Sequence, residues 1–283
     1  MVAIDVQTSR IIVASTALQP SSPHQVWIIP LEDRGSLATR SADVELVSDL
    51  VRQHLIDTDF RYAQLAVCLP SHSTFIGHHP DLFRRPFCDF ERVQGWMSHS
   101  LSLSREEHRI CIVPYPAGEL NERCLVAAVK RQVVDFWECI AESLGSDLVL
   151  VSPRACALHR YGCDATKTKN PKVSLWIDTT ENPPYGHIFD SATLLGSFQI
   201  GDLMGVQGGA QRAGCEVSHL HSAGLNQGEG LMWCVFREGE NISEVVRSLG
   251  CSSWHVEQIR EIPDETIAAR GTLLMLEDLQ RED

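Results

Sequence analysis

The sequence predicts a two-lobed α/β fold in which one strand-rich pattern occurs twice. Two acids mark the duplication. Asp5, in Ile4-Asp5-Val6-Gln7-Thr8-Ser9, and Asp178, in Trp176-Ile177-Asp178-Thr179-Thr180-Glu181, each close an apolar strand-like run and enter a polar turn. Each run is the first of three, separated from the next by polar or turn-forming residues. The length of 283 residues exceeds that of a usual single domain, and 43% hydrophobic with 22% charged residues is an ordinary globular composition.

The elements follow in order. Val2 to Val6, Ile11 to Ala14 and Val26 to Ile29 are β-branched runs that predict two successive hairpins. Val44, Val47, Val51 and Leu55 recur at helical spacing, and Leu65 to Leu69 returns as a buried strand closed by Pro70. Residues 70 to about 150 form a distinct block. In it, Phe90, Val93, Met97 and Leu101 mark one amphipathic helix and Val133, Trp137, Ile140 and Leu144 another, with strands at Arg109 to Val113 and Cys124 to Val129. Gly145 stands at a helix C-terminal cap, Leu148 to Val151 predicts a strand, and Ser152-Pro153 predicts a polar N-cap with proline at the first helical position.

A Thr/Lys/Asn/Pro stretch at 164–172 reads as a linker between a first lobe, 1–163, and a second, 173–283. There the opening pattern returns in Val173 to Ile177, Tyr185 to Phe189 and Leu194 to Ile200, and Thr266 to Leu279 predicts a closing helix.

Charge and composition exclude several functions. With 24 basic and 37 acidic side chains the net charge is -13, which repels nucleic acid and anionic lipid, so direct nucleic-acid binding is not expected. Met1 leads straight into a strand without a basic flank and apolar stretch, and no apolar run approaches the ~20 residues that span a bilayer, so a cytosolic protein without membrane insertion is expected. The ten cysteines are scattered, several within apolar runs, which predicts buried, reduced thiols. Cys156, His159 and Cys163, and likewise Cys215, His219 and His221, have metal-like spacing. A structural zinc site takes four ligands in paired short spacings, so no metal is expected at either cluster. No Gly-x-Ser-x-Gly elbow, Walker-type loop or His-Glu-x-x-His pair is present, which argues against a hydrolytic nucleophile.

In a phosphate-holding turn an acid orients a hydrated metal ion or water while a glycine lets backbone N–H groups approach the phosphate oxygens. Here Gln7 and Thr180 stand at the two glycine positions. The β-β-β-α-β order of the first half, whose three-strand opening returns in the second, is that of the repeating half of the actin-like, RNase H-like fold. More narrowly, Asp5-Val6-Gln7-Thr8-Ser9, the Leu65 to Pro70 strand end, Arg84-Arg85-Pro86-Phe87 before Asp89 to Leu101, Ser152 to Tyr161, and Ile267-Ala268-Ala269-Arg270-Gly271-Thr272-Leu273-Leu274 together resemble the PilM family of actin-like proteins. That family serves type IV pilus assembly at the bacterial inner membrane. Within it the chain is similar to the short HofM-type relatives associated with DNA uptake and competence, with a shortened second lobe.

The resemblance implies nucleotide-contacting turns at Asp5, Gln7, Thr8, Ser9, Asp178, Thr179 and Thr180. Without either glycine the implied state is a degenerate ATPase fold with no cofactor and no turnover. The alternative is a switch that binds Mg-ATP. The resemblance also implies a partner: in PilM, a groove between the first lobe and the inserted subdomain takes the cytoplasmic N-terminal segment of the membrane protein PilN. Arg84, Arg85, Phe87, Trp96 and Met97 are the expected lining residues. The expected role is a cytoplasmic adaptor at the inner face of the inner membrane that is open to self-association. A cytoplasmic actin-like component of a type II secretion platform is the competing role.

Overall fold

Both acidic turns end the first strand of a five-stranded sheet in the computed structural model, and the two sheets share one strand order. The structure describes residues 1–7, 10–16, 25–31, 44–54, 63–79, 95, 97–99, 103–114, 124–166, 173–181, 184–190, 193–199, 230–235, 255–258 and 266–282. By its contacts the chain forms two units, Met1–Arg154 with Thr272–Asp283, and Ala155–Gly271.

In the first unit, β1 (Val2–Val6), β2 (Arg10–Ser15) and β3 (Gln25–Pro30) form the two antiparallel hairpins that the sequence predicts. After helix α1 (Val44–His54), β4 (Gln64–Leu69) lies parallel to β1, and β8 (Asp147–Pro153) lies parallel to β4, giving the order β3-β2-β1-β4-β8. Parallel neighbours need a crossover, and α1 supplies the first. Val2, Ile4 and Val6, two apart on β1, join Val47 and Val51 of α1 in one core. Phe136, Trp137 and Ile140 of α2 (Arg131–Leu144) complete it. Each such buried side chain contributes ~1.5–3 kcal/mol. Arg52 of α1 donates to the Ser143 carbonyl of α2 at 2.8 Å, so the two covering helices are also tied at the surface.

Between β4 and α2 the chain builds a smaller sheet from β5 (Thr74–His79), β6 (His108–Pro114) and β7 (Cys124–Lys130), in the order β5-β7-β6, all antiparallel. Strand β5 has no counterpart among the sequence expectations, because His78 and His79 follow Gly77 and break its apolar run. Helix α2 ends as expected. Gly145 adopts φ 69°, the Gly145 N–H donates to the Glu142 carbonyl and the Ser146 N–H to the Ala141 carbonyl, a Schellman cap. Of the helix expected from Phe90 to Leu101, Gly95 and Met97 to His99 are helical; Phe90, Val93 and Leu101 lie outside the described residues.

One boundary differs from expectation. Ser152 and Pro153 are the last residues of β8, paired with Cys68 and Leu69, and α3 (Arg154–Thr166) begins only at Arg154. A proline at the end of an edge strand loses no ladder bond, so Pro153 suits the strand as well as a helix start.

The second unit repeats the plan. β9 (Val173–Asp178), β10 (Tyr185–Asp190) and β11 (Thr193–Gln199) are antiparallel, and β12 (Gly230–Val235) and β13 (His255–Gln258) extend the sheet in parallel, in the order β11-β10-β9-β12-β13. The last two strands are absent from the sequence expectations, since short glycine-flanked runs such as Gly230–Val235 carry little periodicity. Trp176 of β9 and Trp233 of β12 are register partners whose rings stack at 4.9 Å. The chain closes on α4 (Ile267–Glu282), the helix expected from Thr266 to Leu279.

Two glycines in this unit sit where nothing larger fits. A Cβ on Gly271 of α4 falls 1.8 Å from the Ala157 carbonyl oxygen of α3, and one on Gly162 falls 2.4 Å from the Trp176 ring. The backbones of α3 and α4 therefore touch at Gly271. Gly271→Ala and Gly162→Ala are each expected to destabilise the protein by ~1–3 kcal/mol or more through overpacking. Urea unfolding tests this, and an unchanged midpoint for Gly271→Ala would refute the close approach.

Candidate functional site

Asp5 is the next-to-last residue of β1, and Arg154 follows the last residue of β8, two strands away in the same sheet. Both side chains are fully buried. Arg154 Nη1 donates to Asp5 Oδ1 at 2.6 Å and to Oδ2 at 2.5 Å, spanning the intervening β4. Gln7 Nε2 donates to Asp5 Oδ2 at 2.9 Å, and Gln7 Oε1 accepts from Arg10 Nε at 2.6 Å. The acid thus sits within a chain of charge-assisted hydrogen bonds, Arg154 to Asp5 to Gln7 to Arg10. A carboxylate meant for a hydrated cation must have that cation as its positive neighbour. Here the guanidinium already has that place. Thr8 and Ser9, also expected in this turn, lie outside the described residues.

Asp178 ends β9 at the equivalent position and is likewise fully buried. Its Oδ1 accepts from the Thr180 N–H at 2.9 Å and from the Thr180 hydroxyl at 2.6 Å. This is a carboxylate closing its own turn, a role that Asp takes readily. Thr179 points elsewhere: its N–H donates to the Val235 carbonyl of β12 at 2.9 Å. Sequence reasoning found both acids but missed Arg154. The available signal was an arginine at an otherwise apolar strand-to-helix junction.

A second feature lies in the first unit. A cleft of about 320 Å³ is lined by Leu69, Thr74, β6, β7, α2 and the end of β8. Among the described residues its two long walls are edge strands: Arg109, Ile110 and Cys111 belong to the edge of the small sheet, and Val151, Ser152 and Pro153 to the edge of the large one. Ala127, Ala128 and Val129 form an apolar floor. At the mouth, Arg109 lies 4.0 Å from Asp135 and 3.7 Å from Glu138, all about half exposed. Such pairs contribute at most ~1 kcal/mol, so the mouth can rearrange. The expected groove residues Arg84, Arg85, Phe87 and Trp96 lie outside the described residues, and Met97 is buried in the core.

The first metal-like cluster resolves into core packing. His159 stacks on Phe189 at 4.1 Å, its Nδ1 lies 3.4 Å from Ser174 Oγ, and its Nε2 lies 3.6 Å from Cys163 Sγ. Among the described residues no group of three His, Cys, Asp or Glu is arranged to hold a metal. Cys215, His219 and His221 lie outside the described residues. The expectation of uniformly buried thiols is corrected: Cys68 and Cys234 are buried, whereas Cys111 and Cys139 are exposed. Cys111 faces the cleft instead of a core. Burial pushes the Cys156 thiol up to about 11 and also raises Cys163, the latter opposed by the charge of Arg160. Among the described residues no helix is long and apolar enough to cross a membrane.

No protein-family model matches the chain, and no curated protein matches it. Its structure is similar to that of a chain in a PilM-PilN type IV pilus biogenesis complex, with a TM-score of 0.68 at 12% identity over 97% of each chain. It is also similar to a Bacteroides thetaiotaomicron protein with an actin-like ATPase fold and unknown function, with a TM-score of 0.55 at 10% identity over 97% of this chain and 95% of that one. A third likeness is to the cytoplasmic domain of EpsL, an inner membrane component of the Vibrio cholerae type II secretion system, at 0.55 and 10% over 96% and 94%. The fold is actin-like. In that fold the two acidic turns occupy corresponding places in the duplicated sheets, and β5-β7-β6 is an insertion between β4 and α2 of the first.

Two outcomes are expected of this geometry. Arg154→Met strands the buried Asp5 carboxylate and lowers stability by ~3–5 kcal/mol, measured by denaturant unfolding. A loss under about 1 kcal/mol would mean that the carboxylate does not depend on its partner. At pH 8 a thiol with a value of about 11 is roughly one part in a thousand thiolate, so Cys111 and Cys139 should alkylate long before Cys156. Mass spectrometry of partly labelled protein reads the order.

Proposed function

We propose that this protein is a PilM-type adaptor of a type IV pilus or DNA-uptake machinery, of the HofM kind, which binds an extended segment of a PilN-type inner-membrane protein. The observation that carries this reading is the cleft between the β6 and β8 edges. An edge strand presents unpaired N–H and C=O groups at strand spacing, and two edges flanking an apolar floor suit an extended peptide that adds main-chain bonds on one side and buries alternate side chains. The volume falls within the range of small ligand sites and accommodates a few anchoring side chains. The structural likeness to a chain of the PilM-PilN complex supports the partner class.

On this reading the protein works at the cytoplasmic face of the inner membrane, recruited there by its partner. It turns over no nucleotide. The likeness to the EpsL cytoplasmic domain favours a second reading, a corresponding part in a type II secretion platform.

The test uses Cys111 as a reporter, because it is exposed and lines the cleft, whereas Cys139 is exposed and does not line it. The cytoplasmic N-terminal peptide of a PilN-type protein is expected to slow alkylation of Cys111 at least tenfold at saturation and to leave Cys139 unchanged. Ala127→Phe, which fills the floor, should weaken the peptide by a similar factor. Unprotected Cys111 at saturating peptide would remove the cleft as the docking site, and binding only to a secretion-platform peptide would favour the second reading.

A further inference from the structure

In both acidic turns the side chain two residues after the acid folds back onto it. Gln7 donates its amide to Asp5, and Thr180 donates both its N–H and its hydroxyl to Asp178. A glycine at that position would leave the turn's backbone donors open to phosphate oxygens. A glutamine or threonine fills the approach and gives its own donor to the acid. The same departure therefore occurs twice, in two distinct sheets, and each time the acid accepts a hydrogen bond from the residue that stands in the glycine's place.

At Asp5 a second departure converges on the same oxygens. Arg154 reaches over β4 from the first residue of α3 and contacts both of them, with neither charge exposed. The carboxylate of a Mg-nucleotide site is neutralised by the ion and its water shell. Here it is neutralised by a side chain that is part of the fold. A divalent cation entering at Asp5 would meet the guanidinium at contact distance, and the like charges would repel each other in a buried setting. The residues present do not fit Mg-ATP.

We propose that Arg154 is a built-in replacement for the divalent cation of the actin-like site, and that with Gln7 and Thr180 it holds both acidic turns in a closed, self-satisfied form. The chain then keeps its native conformation without nucleotide. Arg154 directly follows Pro153 of the cleft's β8 wall but does not itself line the cleft, and its pairing with Asp5 is independent of whether a peptide docks there. Arg154 acts here as a positioning residue.

The experiment combines ligand titration of the intact wild-type protein with a double-mutant cycle. Mg²⁺ alone, and then Mg-ATP, is added in thermal melts and in calorimetry; neither is expected to move the wild-type melting temperature or to release binding heat. Asp5→Asn and Arg154→Met should each lower the melting temperature, and the double variant should lose less than the sum of the two, because no lone charge is left buried. If either single variant fails to fold, a double variant that folds gives the same answer. A wild-type melting temperature raised by Mg-ATP, or a double variant that loses the full sum, overturns the proposal.

Discussion

The ion pair between Asp5 and Arg154 ties together parts of the chain that are far apart in sequence. It joins the first strand to the start of α3 across β4, so the side chain must cover two inter-strand spacings, about 10 Å. Only a long cationic side chain manages that, and one guanidinium nitrogen, Arg154 Nη1, reaches both carboxylate oxygens. The pair can form only if β1, β4 and β8 lie in that order and end at the same level. Buried charges cost several kcal/mol when misplaced, so alternative registers of these strands are penalised by the same interaction.

The two sheets show how one plan accepts different interiors. In the first, alternation on β1 sends Val2, Ile4 and Val6 into the core under α1 and α2, while Asp5 faces the other way. In the second, the centre is aromatic: Trp176 stacks on Trp233, His159 on Phe189, and Gly162 makes room for the indole. The acid at the end of the first strand survives in both, but its surroundings differ. Asp5 is held by a charge from elsewhere in its unit, and Asp178 by its own turn.

The cleft arises from the insertion itself. Placing a three-stranded sheet between β4 and α2 brings a second edge, β6, beside the edge that β8 already presents. Unpaired edges are an aggregation hazard that folded proteins cover or use. Here the exposed Cys111 and the loosely held Arg109 lie along the cleft, where a partner strand would cover them.

Periodicity alone determined much of this architecture. The hairpins β1-β2-β3 and β9-β10-β11, helices α1, α2 and α4, and the cap at Gly145 all follow from local patterns, because each depends on residues within a few positions of one another. The repetition of an acid at the same place in each half was also legible, and with it the duplicated fold. Tertiary structure alone decided what those acids do. Nothing near Asp5 in sequence announces Arg154, which lies 149 positions away, and Gln7 reads as a lost glycine until its amide is seen on the carboxylate. The cleft was likewise out of reach as a set of residues, since its walls come from strands separated in sequence and meet only through sheet order. Local patterns specify elements; contacts between distant side chains specify the site, and these depend on strand order, register and burial.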